Sequence, residues 1–158
     1  MANTQSMCTS FMGELMTATH NFGVAPIRAT TTVDTFKAAL YLTSATINAA
    51  TTAYTVTGEV SGTNYSAGGV TVTTATPPTA TNSSATAGVA FFTPSASITY
   101  TTVTLSTAFD TVLLYNSTQS DKAVSVHTFG SQTITAGTFT LTMPTNNTST
   151  ALLRLATT

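Results

Sequence analysis

The first part of the chain repeats its apolar residues with the period of an α-helix. Within residues 3–22, Met7, Phe11 and Leu15 are each four residues apart, so they would share one face of a helix. Asn3 or Thr4 has a side chain suited to capping the start of such a helix. The pattern predicts one amphipathic helix over residues 3–22, and that helix needs a surface to cover.

Farther along the chain the hydrophobic period changes to 2, which is the period of a β-strand. Two prolines at 77 and 78 end one apolar run, and residues 79–86 are polar enough to predict a loop. Residues 116–122 lie between two apolar runs and predict a hairpin loop. The predicted strands are 35–42, 54–60, 70–73, 89–92, 98–105, 111–115, 123–129, 133–135, 138–143 and 151–156.

These segments predict a mainly β fold, because no helical pattern separates the strands as it would in a parallel β/α protein. We expect a single domain over residues 1–158, with the helix at 3–22 and an antiparallel β-sandwich, jelly-roll or immunoglobulin-like, at 34–156. The inward faces of the strands predict a core of Phe36, Leu40, Val56, Val72, Phe91, Val112, Leu114, Val126, Phe139, Leu141 and Leu153.

Charge changes the picture more than any motif does. Only 6% of the residues are Asp, Glu, Lys or Arg and the net charge is −1, whereas ordinary soluble domains carry about 25% charged residues. About a quarter of the residues are threonine, whose hydroxyl group must then hydrate the surface. A neutral, hydroxyl-rich surface tolerates contact with copies of itself, which favours a protein that works in an assembly.

The same composition argues against several kinds of partner and several cellular locations. Four scattered basic residues do not form the positive patch that nucleic-acid binding requires. No apolar run is long enough to span a membrane, and the first residues do not have the pattern of a signal peptide. One cysteine, Cys8, permits no internal disulfide; we expect it to be buried as a small apolar residue in the N-terminal helix.

The residues that could carry chemistry are few. The two histidines, His20 and His127, and Cys8 lack the spacing of a metal site, and we expect no cofactor. A triad of Asp110, His127 and a serine is conceivable, but nothing in the sequence selects it. We therefore expect no catalytic residues and no enzymatic activity.

The aromatic residues allow one further reading. Tyr54, Tyr65 and Tyr100 could form a sugar-binding face, although tyrosines of a sandwich more often sit at its edge with the hydroxyl group in water.

Several segments in a fixed order resemble a recurrent type of small virion protein of tailed bacteriophages. They are His-Asn-Phe at 20–22, together with 34–41, 51–54, 58–69, 114–117 and 121–124. The resemblance spans most of the chain and implies a structural, decoration or fibre protein, with no catalytic residues to transfer. Residues 23–33 are longer than the turn expected there; this loop, with Ile27 and Arg28, is the candidate contact to a capsid.

Two functions lead at this point, and a third option, a secreted or surface adhesin, is favoured by the threonine content but opposed by the missing signal-peptide pattern. The first is a capsid decoration or cement protein that stabilises the head shell, bound to the major capsid protein and to its own copies as a homo-oligomer such as a trimer. The alternative is a head-fibre or tail-associated component that binds a host receptor or glycan. Both place the protein in the virion after synthesis in the host cytoplasm.

Overall fold

The computed structural model describes residues 3–16, 18–22, 33–81 and 88–156. Within them the fold is mainly β and its sheets are antiparallel. In chain order the elements are β1 (Ser6–Met7), α1 (Thr9–Met16), β2 (Phe36–Leu42), β3 (Val70–Val72), β4 (Thr79–Thr81), β5 (Val89–Phe92), β6 (Ile98–Asn116), β7 (Lys122–Leu141) and β8 (Leu153–Ala156).

The larger sheet has the strand order β1-β7-β6-β2-β3. The long hairpin β6–β7 forms its centre, and residues 117–121 make the turn, as the sequence predicted. Phe36 pairs with Asn116 and Ala38 with Leu114 across β2 and β6, so the alternating apolar residues of these strands share faces of the sheet. The smaller sheet has the order β4-β5-β8.

One hydrophobic cluster contains residues of both sheets. Phe92 of β5 and Leu153 of β8 belong to it together with Phe36 of β2. Phe22 joins the two sheets directly, because its ring stacks on Phe36 at 4.3 Å and packs against Phe92 at 4.8 Å between ring centroids.

The predicted helix over residues 3–22 is wrong. Ser6 and Met7 form a strand that pairs with Val126 and Ser125, and only Thr9–Met16 is helical. Asn3 does not cap a helix: its side chain donates to the carbonyl oxygen of Leu42 and accepts from the backbone N–H of Ile47.

The helix ends early because the backbone turns left-handed after it. Ala18 has a φ of 52°, its N–H donates to the Leu15 carbonyl, and the Thr19 N–H donates to the Glu14 carbonyl. These two bonds form a Schellman cap, which stops a helix even without glycine at the left-handed position. Residues 19–22 then leave the helix and reach the end of the larger sheet.

The strand predicted at 54–60 is also wrong. This segment folds into a turn in which the Glu59 N–H donates to the Val56 carbonyl and Gly58 has a φ of 79°. A side chain at Gly58 would lie 2.7 Å from the β-carbon of Ala45, so the close approach of the two segments requires glycine there.

Two further differences concern strand length. The predicted segments between 98 and 115, and those between 123 and 143, merge into β6 and β7 because β-bulges absorb the interruptions. Residues 79–81, predicted as part of a loop, form the exposed strand β4.

Most of the predicted core is confirmed. Phe36, Leu40, Val72, Phe91, Val112, Leu114, Val126 and Leu153 are buried, and Phe139 and Leu141 are partly buried against the core. Val56 is wrong: it lies at the tip of the turn at 55–59 and is 69% exposed. Cys8 is fully buried as predicted, although it precedes α1 rather than lying within it.

Candidate functional site

The most polar buried site lies where α1 meets the turn of the β6–β7 hairpin. His20 donates from Nε2 to Glu14, at 2.7 Å, and its Nδ1 lies 3.0 Å from the amide nitrogen of Asn116. The same amide nitrogen of Asn116 donates to Asp34 at 2.8 Å, and Lys122 donates to the second oxygen of Glu14 at 2.7 Å. We call these five residues the His20 network.

The geometry fixes the protonation state of His20. The Asn116 side chain must present its NH₂ group to His20, because its oxygen already accepts the backbone N–H groups of Thr118 and Gln119. Nδ1 therefore accepts, which leaves Nε2 as the protonated nitrogen of a neutral ring. Burial lowers the pKa of His20 in agreement with this state, although Glu14 opposes the shift.

The His20 network does not activate a nucleophile. Burial, with a smaller contribution from Glu14, raises the pKa of the Cys8 thiol to about 11. Both ring nitrogens of His20 are already bonded to other groups. A fully buried thiol without a free base holds its proton, so we interpret these residues as a structural tie between the N-terminal segment and the sheet.

A second histidine lies on the larger sheet. Ser125 and His127 are two residues apart on β7, and the serine oxygen lies 2.9 Å from Nε2 of His127. Burial lowers the pKa of His127 to about 4, so this ring is neutral as well. Ser125 is only 1% exposed, which is too little for a nucleophile that must reach a substrate.

No hydrogen bond joins Asp110 to His127, so the described residues do not assemble the triad of Asp110, His127 and a serine. Asp110 accepts hydrogen bonds from Asn3 and Thr111, and burial is the only cause that shifts the pKa of His127. Among the described residues, no group of three or more His, Cys, Asp or Glu side chains could hold a metal ion.

The tyrosines are organised around a single carboxylate. Glu59 accepts from the hydroxyl of Tyr54 at 2.6 Å, from the hydroxyl of Tyr65 at 2.8 Å and from the Gly68 N–H at 2.8 Å. Tyr65 also accepts from the Leu40 N–H, which ties this loop to β2.

The hydroxyl groups of the remaining three tyrosines donate to backbone carbonyls: Tyr41 to Thr55, Tyr100 to Ala38 and Tyr115 to Gly68. The proposed sugar face of Tyr54, Tyr65 and Tyr100 is therefore not offered to a ligand. Its hydroxyl groups are used within the chain, and Tyr100 is buried.

A cavity of about 230 Å³ lies between β7 and the segment that leads to β8. We call it the β7 cavity. Its walls are mostly apolar, and its polar side chains are the neutral groups Gln5, His127, Thr128 and Thr142. The apolar lining consists of Ile98, Val112, Leu114, Phe129, Leu141, Met143 and Leu152.

Most of the charged side chains of the described residues form hydrogen bonds or ion pairs within the chain. Four carboxylates have hydrogen-bond partners within the protein: Glu14, Asp34, Glu59 and Asp110. Lys122 is paired with Glu14, so its charge is neutralised locally. Most of the carboxylates are therefore hydrogen-bonded within the chain, on a surface that the composition already makes nearly neutral.

The His20 network could not be predicted from the sequence, since its members are spread from residue 14 to residue 122. The usable signals were polar residues next to apolar runs, namely Asp34 before β2 and Asn116 at the start of the hairpin turn. The candidate capsid contacts Ile27 and Arg28 lie outside the described residues.

Comparison with known proteins does not identify a family. No family model, no curated protein and no solved structure matches the chain. Within the described residues, no helix is both long and apolar enough to cross a membrane.

Proposed function

We propose that the chain is a non-enzymatic structural subunit of a bacteriophage virion and serves as a decoration or cement protein on the capsid. Its partners in this proposal are the major capsid protein and further copies of itself in a homo-oligomer. The β-sheets would form a β-sandwich of the jelly-roll or immunoglobulin-like type. The resemblance of its sequence segments to small virion proteins of tailed phages supports the class of protein.

The observation that carries the proposal is that most of the carboxylates form hydrogen bonds within the chain. Because Glu14, Asp34, Glu59 and Asp110 bond within the chain, the surface left for contacts is mostly threonine and other neutral groups. Contacts between copies of one surface are costly where like charges meet, and a neutral surface avoids this cost. Many weak neutral contacts, repeated over a shell, can together resist the pressure of a packaged genome.

A neutral interface predicts a specific response to salt. In about 1 M salt the Debye length is only about 3 Å, so ionic contacts between exposed charges are largely screened. Purified particles washed in such salt should keep the protein, and on heating they should outlast particles that lack it. Release by salt alone would contradict a neutral interface, and equal heat resistance of both kinds of particle would contradict the cementing role.

The copy number separates this proposal from the head-fibre or tail alternative. A decoration protein should approach the abundance of the major capsid protein in a stained gel of particles, whereas a fibre component should be a faint band. The internal use of the tyrosine hydroxyl groups removes the most obvious glycan-binding face among the described residues. It therefore favours the decoration role.

A further inference from the structure

The outer edge of β7 is the longest strand edge without a neighbour in the described part of the chain. On one side β7 pairs with β6 along its whole length. On the other side β1 covers only Ser125 and Val126. No backbone partner is found among the described residues for this outer edge from residue 127 to residue 141.

Natural proteins usually guard such an edge with charge, proline or strong irregularity. Residues 123–153 contain no Asp, Glu, Lys or Arg, and the first proline after β7 begins is Pro144. The β-bulges of the hairpin lie between Tyr100 and Tyr115, so the end of β7 is regular: Thr140 pairs with Thr99 and Leu141 with Ile98. Residues 138–141 are thus an unguarded, regular edge.

The β7 cavity lies beside this edge and gives it an apolar centre. Leu141 and Phe129 of β7 line the cavity and are only partly buried. No charged side chain lines it, and His127 is neutral because burial lowers its pKa to about 4. An apolar centre with a neutral polar rim is the usual make-up of an interface between proteins.

We infer that residues 138–141 of β7 and the adjoining β7 cavity form the self-association surface, which pairs with the same edge of a second copy in an antiparallel arrangement. This inference rests on the homo-oligomeric part of the proposed function and predicts a twofold dimer where the sequence suggested a trimer. The two β6–β7 hairpins then form one continuous sheet, and apolar side chains from the second copy enter the cavity.

The absence of charge is the reason to choose a second copy as the partner. In a twofold contact the same patch is used by both molecules, so any charge near the axis would face a like charge. Residues 123–153 can therefore meet their own copy without bringing like charges together, and they provide no charged group that would select a different partner by its charge. Pairing of a few residues contributes modestly, so the dimer should form in a concentration-dependent way.

The test compares two threonine-to-lysine variants at strand edges. Thr138 is exposed on the β7 edge, and Thr79 is exposed on β4 at the edge of the smaller sheet. Sedimentation from micromolar to millimolar concentration should show the wild type and Thr79→Lys passing from monomer to dimer. Thr138→Lys should weaken dimerisation by about tenfold or more, because each copy then brings a lysine into the contact and the like charges repel.

Hydrogen exchange provides the second measurement and guards against a misfolded variant. Backbone amides of residues 138–141 should exchange more slowly in the dimer than in the monomer, and Thr138→Lys should lose this protection while the rest of the chain keeps its pattern. Thr140→Lys, another exposed edge position, should behave in the same way.

Three results would overturn the inference: a wild type that stays monomeric at every concentration, a trimer, or a dimer that only Thr79→Lys disrupts. A monomer that still binds particles would overturn the inference and the homo-oligomeric part of the proposed function, but it would leave the decoration role standing. A dimer of the expected kind that is missing from particles would support the inference and refute the proposed function.

Discussion

Alkaline pH should unfold this protein through its buried tyrosines. Tyr41, Tyr100 and Tyr115 are almost fully buried, at 0%, 2% and 2% exposure, and each donates its hydroxyl proton to a backbone carbonyl. Burial raises the pKa of Tyr115 to about 12, and it raises the pKa of Tyr41 and Tyr100 as well. In the unfolded chain a tyrosine has a pKa of about 10.

The sign and the size of the effect follow from these values. Above about pH 10 the unfolded state releases tyrosine protons that the folded state keeps, so the free energy of unfolding falls as the pH rises. At about pH 11 each buried tyrosine lowers that free energy by about 1.4 kcal/mol, and the three together lower it by about 4 kcal/mol. A domain of this kind is stable by only about 5–15 kcal/mol in total.

The assay follows two signals during one alkaline titration: the ultraviolet absorbance of tyrosinate and the circular dichroism of the sheets. We expect most of the tyrosinate signal to appear together with the loss of β-structure. Tyr100→Phe removes one ionising group and should shrink the loss of stability at about pH 11 by about 1.4 kcal/mol. At neutral pH the same variant should lose about 1 kcal/mol, because the bond to Ala38 is gone. If tyrosinate titrates fully near pH 10 while the circular dichroism is unchanged, the hydroxyl groups are accessible and this reasoning fails.

Substitutions of His127, Gly69 and Asn116 test three other parts of the fold. His127→Gln should make folding less sensitive to acid. Burial lowers the pKa of His127 to about 4, so the free energy of unfolding of the wild type falls by about 2 kcal/mol between neutral pH and about pH 5. Urea titrations at both pH values should show a smaller fall in the variant. Gly69→Ala should lower the free energy of unfolding, measured by heat or urea, by at least about 2 kcal/mol, because φ is 70° and a β-carbon would lie 1.7 Å from the Ala38 carbonyl oxygen. Gly130→Ala is the control: the nearest atom to its β-carbon would be 4.0 Å away, so its stability should be nearly unchanged. Asn116→Leu should lower the free energy of unfolding by about 3 kcal/mol or more and loosen the N-terminal segment, because it leaves Asp34 and His20 without their shared donor. If the amides of residues 8–16 exchange as slowly in the variant as in the wild type, this role of Asn116 is contradicted.

The individual strands could be predicted wherever one face of the chain is apolar. Phe36, Ala38 and Leu40 in β2 and Val89–Phe92 in β5 have the alternation or the apolar run that a buried strand requires, and both strands were found where the pattern placed them. The same logic failed at 54–60, because Tyr54 and Glu59 serve a hydrogen-bond network and not an alternating face. A period of 2 cannot distinguish a strand from a turn whose polar and apolar residues alternate by coincidence.

The prediction of a helix over residues 3–22 failed for a different reason. Met7, Phe11 and Leu15 do contact the core from one side, as an amphipathic stripe should. Nevertheless, Met7 does so from a strand, because β7 offers backbone partners to residues 6 and 7 that local propensity does not anticipate. The helical period identified which residues face the core, but it did not identify the backbone conformation that brings them there.

The sequence by itself determined the class of this protein: a mainly β chain with almost no charge, a single cysteine and no residue spacing typical of a metal site. These properties are read from composition and period, which depend only on near neighbours along the chain. Only the tertiary structure decided which distant polar residues meet, as Glu14, His20, Asp34 and Asn116 do, and which strand edge has no partner among the described residues. Both depend on the pairing order β1-β7-β6-β2-β3, and that order is set by how the whole chain buries its apolar faces together, which no local segment specifies.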